Sequence, residues 1–365
     1  MSCLNPAWSR SLCAVVCLVV ALPLPGNEAK AGEEWTVVDR ILGEDGKHSR
    51  DVSGIACMTS SGFPRHCLVI DDNLQNGQFL TLKDGELHPG DAVPLIENTF
   101  GGKNLELDGE GVAFYADPKD GDAFYVIGSH GHPRHHTTDC VGPLTDENKA
   151  KIGASSQIVR VRLKPSVGKT LSMHDVVDIT RNSKLRDFIA AEPKLQPFKD
   201  KCLEPNAQSE GNGVTIEGVA ILNGRLYAGF RGPSLPGAPI LSVPLESLFG
   251  SGTGGAKLDV VKLDKGRGVR DLTPYGGGLL VLAGPVGSEP VGSEKGRYDV
   301  YWWDTSSPDM KHLGDITDQA RAAEQSKPEG ILPLEVSSGQ LRLLIVSDGK
   351  DAKDGAPRTV LVPAP

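Results

Sequence analysis

The chain has 365 residues, a formal net charge of −9, 44 glycines, 26 prolines and an aromatic content of 5%. An acidic chain with no basic block argues against nucleic acid and an anionic membrane surface as partners. The glycine and proline counts fit many tight turns between short strands, and this length is ample for one large repeat domain.

The first element is a leader. Arg10 precedes an apolar run from Leu12 to Leu24, broken by Pro23 and followed by Pro25 and the small-x-small site Ala29-Lys30-Ala31. The run is too short to span a bilayer and reads as a cleavable export signal over residues 1–31, leaving a domain of residues 32–365 in the periplasm or outside the cell. Neither Cys13 nor Cys17 follows the small residue that a lipid-anchor site requires. Removing Arg10, Lys30 and Glu28 with the leader takes the net charge from −9 to −10. Export permits disulfides, and Cys57, Cys67, Cys140 and Cys202 remain. Cys57 and Cys67 flank a short turn and suit a hairpin bridge; Cys140 and Cys202 bracket an irregular stretch that a second bridge would pin.

An unattached run, Trp35–Leu42, comes next, and then a phrase recurs: an acidic residue and Gly, an apolar run, and a second run that ends in polar residues. It reads Glu110-Gly111-Val112-Ala113, Glu217-Gly218-Val219-Ala220, Asp271-Leu272-Thr273 and Glu329-Gly330-Ile331, with a degraded copy at Ser53-Gly54-Ile55-Ala56. Each unit extends to strand-like runs. These are 53–58, 66–71, 78–82 and 92–96 in the first unit, and 110–116, 123–130, 157–163 and 174–179 in the second. The third has 217–222, 225–231, 239–243 and 258–263; the fourth has 270–275, 279–283, 298–303 and 311–316. The last unit supplies three runs, ending in Thr359–Val362. Val159 to Leu163 alternates apolar and polar residues, as a half-buried strand does, whereas Leu279 to Leu282 suits a strand buried on both faces.

Repeats of this kind make an all-β fold, a single β-propeller of five blades, with six as the alternative. The N-terminal run is expected to complete and close the last blade. A helical insertion is expected around residues 140–212, with helical signals at 184–191, 246–249 and 318–325.

In a propeller the loop into each innermost strand and the loop out of the second strand share a face. Glu110, Glu217, Asp271 and Glu329 therefore gather at one mouth with Asp72, His130, Arg231 and Asp348. Converging carboxylates (Glu110, Glu217, Asp271, Glu329, Asp72, Asp348) suit a hard cation, Ca²⁺ or Mg²⁺. The same carboxylate in every blade also suits a structural role, accepting backbone N–H groups and locking blade to blade. Arg231 suits an anionic group or an ion pair with a neighbouring Glu, and His130 suits proton transfer. The run His130, His132, His135, His136 matches no metal-binding spacing and reads as a surface loop.

The ordered phrases Ile127-Gly128-Ser129-His130, Ile216-Glu217-Gly218-Val219-Ala220, Ala228-Gly229-Phe230-Arg231-Gly232-Pro233, Val269-Arg270-Asp271-Leu272-Thr273-Pro274, Leu282-Ala283-Gly284-Pro285 and Lys327-Pro328-Glu329-Gly330 resemble a bacterial family of unknown function. More distantly, the repeats look like those of the secreted esterase-like phytase propellers. That second resemblance implies a metal-assisted hydrolase of a phosphoester or ester. The expectation is a monomeric exported propeller that hydrolyses a small anionic (phospho)ester at one mouth; the alternative is a non-catalytic scaffold for a ligand or a protein partner.

Overall fold

The computed structural model of the chain describes residues 32–132, 143–165, 170–203, 212–264, 266–287, 296–321 and 326–365. Residues 1–31, His135, His136 and Cys140 lie outside the described residues.

Strands form where apolar residues alternate or run unbroken, and turns fall at the glycines between them. Blade 1 comprises Val52–Cys57, Arg65–Asp71, Asn76–Lys83 and Glu86–Pro94. Blade 2 comprises Gly109–Asp117, Gly121–Gly128, Ile158–Leu163 and Val176–Asn182. Blade 3 comprises Thr215–Leu222, Arg225–Gly232, Ala238–Pro244 and Lys257–Val261. Blade 4 comprises Arg267–Tyr275, Gly278–Pro285, Asp299–Trp303 and Lys311–Asp315. Blade 5 has three strands, Lys327–Ser337, Gln340–Asp348 and Arg358–Pro363. The first strand of each blade touches the first strand of the next, from blade 1 round to blade 5 and back to blade 1. The fold is an all-β, five-bladed propeller, and the six-bladed alternative falls away.

The apolar residues divide into five buried clusters, one between each pair of neighbouring blades. Each blade thus buries both faces, which explains the unbroken Leu279–Ala283 run, every residue of it fully buried.

The glycine of the recurring phrase has a packing reason. A Cβ on Gly111 would sit 2.9 Å from the Glu217 carbonyl oxygen, and one on Gly218 would sit 2.9 Å from the Asp271 carbonyl carbon. The approach is looser at Gly54, where a Cβ would sit 3.3 Å from Val112 N, and at Gly330, where it would sit 3.3 Å from the Gly54 Cα. Innermost strands approach backbone to backbone around the ring, and only glycine leaves room for it.

The N-terminal run departs from its expected place. Thr36–Val37 pairs in parallel with Glu86–Leu87 on the outer strand of blade 1, so it does not form the fourth strand of blade 5. The residues before it do reach blade 5: Trp35 N donates to the Pro357 carbonyl at 2.8 Å, and Thr359 N donates to the Glu33 carbonyl at 2.8 Å. The segment therefore straddles the seam between first and last blades, and Trp35 and Ile41 join the cluster there. The run is too short to pair fully with both blades, and its apolar side chains are buried best in the seam.

Helix is sparse, as expected. Asp146–Ser155 is capped by the Thr145 hydroxyl, which accepts from Asn148 N; Lys184–Ala191 packs Leu185 and Ile189 between blades 2 and 3. These helices flank the outer two strands of blade 2, so the stretch expected as one insertion is two excursions around blade strands. Leu245–Phe249 is helical, and Thr317–Ala320 forms a single turn. Cys57 and Cys67 are register partners on neighbouring strands and form a disulfide. Cys202 is also disulfide-bonded.

Candidate functional site

Each innermost strand begins with a β-bulge at the same face of the ring. In blade 2 the register runs Gly109–Gly128 and then Gly111–Ile127, which makes Glu110 the extra residue. The same count makes Ser53 the extra residue in blade 1, Glu217 in blade 3, Arg270 in blade 4 and Glu329 in blade 5. A bulge re-aims its extra side chain out of the strand alternation, and all five are buried. The fourth ring residue is therefore Arg270. Asp271 takes the position that glycine holds in the other blades, one step from where the acid–Gly phrase had aligned it. The missed signal was the pattern Val-Arg-Asp-Leu set against Ile-Glu-Gly-Val, where apolar residues rather than acids mark the register.

This substitution of sign organises half of the ring. Arg270, 2% exposed, donates through Nε to Glu329 Oε2 at 2.9 Å and through Nη2 to Glu329 Oε1. Glu217 Oε2 lies 2.9 Å from the same Nε, an ion pair without hydrogen-bond alignment because that N–H is directed at Glu329. Glu217 Oε1 accepts from Arg231 Nη1 at 2.8 Å, and Arg231 also donates to the Val286 and Gly287 carbonyls. The result is a buried chain, Arg231–Glu217–Arg270–Glu329, with two charges of each sign. Burial pushes the Glu329 carboxyl up to about 7, against the Arg270 guanidinium that lowers it. Burial opposes charge on Arg270, yet Glu217 and Glu329 hold it protonated well above its ordinary value.

Asp271 works differently. Its Oδ2 accepts from Ile331 N of the next blade at 2.8 Å, and its Oδ1 accepts from Leu272 N at 2.7 Å. This is the blade-to-blade lock expected of the repeated acid, made here by a carboxylate where the other blades use glycine contact. Burial keeps that carboxyl well above the usual carboxylate range.

The other half of the ring gathers carboxyl groups around Asp72. Asp72 lies within Coulombic reach of Glu110, Asp348, Asp108 and Asp51. Burial first, and then these four carboxylates, raise the Asp72 carboxyl well above its ordinary range. Asp72 is partly exposed as a residue, but its Oδ1 is buried and has no hydrogen-bond partner among the described residues. Asp348 is raised by burial too, with Lys327 Nζ 3.7 Å away in opposition. Ser129 Oγ donates to Asp108 Oδ2. Among the described residues no group of three or more His, Cys, Asp and Glu side chains is arranged to hold a metal ion.

His130, next in the chain to Ser129, has φ at 56°, donates from its backbone N to the Ser155 carbonyl at 3.0 Å and is 5% exposed. Its Nδ1 lies 2.8 Å from the Gly128 carbonyl, which fixes Nδ1 as the protonated nitrogen and leaves Nε2 buried with no partner among the described residues. Burial pushes its pKa down to about 4, so it is neutral at neutral pH. His132 is also buried, with both ring nitrogens lacking partners among the described residues, which corrects its reading as surface loop.

The structure thus brings Asp72 within Coulombic reach of Glu110 and Asp348, while the charged group that acts on His130 is Arg186. Arg231, Glu217 and Glu329 are drawn into ion pairs, and Asp271 into backbone bonds.

A family described as "Protein of unknown function (DUF3616)" matches residues 91–362. No curated protein matches the chain. Among solved structures, an engineered GH43 glycoside hydrolase is 9% identical with a TM-score of 0.45, over 87% of this chain and 50% of that one. An exo-β-1,3-galactanase from Phanerochaete chrysosporium is 9% identical with a TM-score of 0.45, over 91% and 63%. An α-L-arabinofuranosidase from Podospora anserina is 10% identical with a TM-score of 0.45, over 91% and 96%. The chain spans about half the length of the first of these and under two thirds of the second.

Proposed function

The chain belongs to the DUF3616 family of proteins of unknown function, and we propose that it is a hydrolase whose carboxyl group Asp72 works as an acid at the mouth formed with Glu110 and Asp348. One observation carries this reading: Asp72 has a buried Oδ1 with no hydrogen-bond partner among the described residues, and burial and neighbouring carboxylates raise its carboxyl well above the ordinary range. A pair of carboxyl groups, one of them raised by burial, is the arrangement that hydrolyses acetals such as glycosides, one group giving a proton and the other activating water or attacking. Perturbed carboxyls of this kind concentrate at functional sites.

Charge favours an uncharged substrate. Arg231, expected to hold an anionic group, is engaged by Glu217 and two carbonyls. The carboxylate group repels an anion unless a divalent cation sits among Asp72, Glu110 and Asp348, and that is the condition under which the phosphoester reading holds. We propose export as well: residues 1–31 as a cleaved leader, and disulfides suited to an oxidising compartment.

The test is a panel of aryl glycosides, aryl esters and aryl phosphates, assayed with Ca²⁺ or Mg²⁺ and with chelator. Turnover of an uncharged substrate in chelator, reduced roughly 10²–10⁴-fold by Asp72→Asn, is the expected result. Absence of turnover across the panel, or equal turnover by the variant, rejects the reading. Turnover of the phosphates alone, and only with the divalent ion, replaces it with the metal-assisted one.

A further inference from the structure

The segment from Ile41 to Gly46 lies over the end of blade 1 and roofs a cavity of about 300 Å³. Its walls include Ile41, Leu42 and Leu74, and its polar lining includes Asp71, Gln78 and Asp45. The roof is fixed in place. Ile41 N donates to Asp354 Oδ1 at 2.9 Å, His48 Nδ1 lies 2.7 Å from Asp354 Oδ2, and Ser49 N donates to the Ile41 carbonyl at 2.8 Å. Gln78 is used at both ends, accepting from Leu42 N at 2.9 Å and donating to the Gly90 carbonyl at 3.0 Å.

Asp71 is different. It is 4% exposed, accepts from Ser49 Oγ at 2.6 Å and from Asn73 N at 3.0 Å, and keeps further acceptor capacity. Among the described residues no Lys, Arg or His lines the cavity. Asp45 in the roof is largely exposed and is paired with Lys47 Nζ at 3.2 Å, so the countercharge is missing at Asp71 alone. A buried carboxylate without a countercharge is costly, and it asks for a cation. The aliphatic walls ask for a carbon skeleton attached to it.

We propose that this cavity is a binding site for a small organic ammonium ion, with Asp71 as its counter-ion and the Ile41, Leu42 and Leu74 side chains receiving its apolar body. The site is separate from the carboxyl group at the mouth: it needs Asp71, while the hydrolase reading needs Asp72.

The experiment measures calorimetric binding of cyclohexylammonium, cyclohexanol and cyclohexanecarboxylate at pH 8. The ammonium ion binds at least roughly tenfold more tightly than the alcohol, since hydrogen bonds to charged groups exceed neutral ones by about that factor, and the carboxylate does not bind. Asp71→Asn removes the preference for the ammonium ion, and Leu42→Trp, which fills the cavity and leaves Asp71 in place, removes binding of both. Equal affinity for ammonium ion and alcohol overturns the proposal. So does binding of neither, or an unchanged affinity in Leu42→Trp, the arm that applies if Asp71→Asn does not fold. Turnover at the mouth is unaffected by these results, so this proposal and the hydrolase reading fail separately.

Discussion

His130 and Asp71 are buried titratable groups that push stability in opposite directions as pH changes. The folded-state pKa of His130 is about 4, below its unfolded value of 6.5. The unfolded chain therefore takes the proton first, and stability is lost as pH falls from about 6.5 to about 4, by about 3 kcal/mol in all. Asp71 has its folded pKa raised to about 7 from 3.8, chiefly by burial. The folded chain takes that proton first, so its contribution is present below about 3.8 and lost as pH rises through about 7. The two slopes offset each other in the parent protein. Glu329, Asp72, Asp271 and Asp348 are raised as well and add to the Asp71 slope. The histidine's part is therefore the difference between the parent and His130→Asn in urea unfolding between pH 4 and 7. The parent should lose more stability toward acid than the variant, and parallel profiles would remove the assignment. None of this was legible in the sequence, where His130 read as a proton-transfer group at the end of a strand. Burial decides how both residues behave, and burial comes from the turn at Ser129–His132 and from the roof over blade 1.

The recurring phrase makes one claim for each innermost strand. Its glycine is the part that contacts the next blade, so Gly218→Ala must separate the backbones of blades 3 and 4 and should cost about 1–3 kcal/mol. Gly153, inside helix Asp146–Ser155 with open space around its Cβ position, is the control. Gly153→Ala should stabilise by about 0.5–1 kcal/mol. Thermal unfolding of both variants checks the pair, and equal effects would mean the close approach around the ring is not what the glycine serves. The strands themselves were readable, because Leu279–Ala283 or Val159–Leu163 can bury their side chains in few other ways. The bulges were not. A bulge is a matter of register between two strands, and one strand's sequence cannot show it, which is why Asp271 was aligned with Glu217 and Arg270 was passed over.

At the scale of the whole molecule, five apolar clusters hold five seams, and the seam between blades 5 and 1 is finished by the segment carrying Trp35 and Ile41. The sequence showed that this run had to close the ring. It could not show that closure is a strap across two blades, because the parallel pairing with blade 1 depends on where Glu86–Leu87 ends up in space. Around the ring's centre the charged side chains, at the bulges and beside them, serve two purposes. From Arg231 to Glu329 the charges are matched and lock blades 3, 4 and 5; around Asp72 the carboxyl groups crowd one another. That division is the central claim, and the comparison of Glu217→Gln with Asp72→Asn in urea unfolding at pH 8 tests it most directly. Glu217→Gln leaves Arg231 and Arg270 buried with too little negative charge and should cost about 3–5 kcal/mol. Asp72→Asn removes a buried carboxyl from among like charges and should leave stability unchanged or raise it. Equal losses in the two variants would contradict the division.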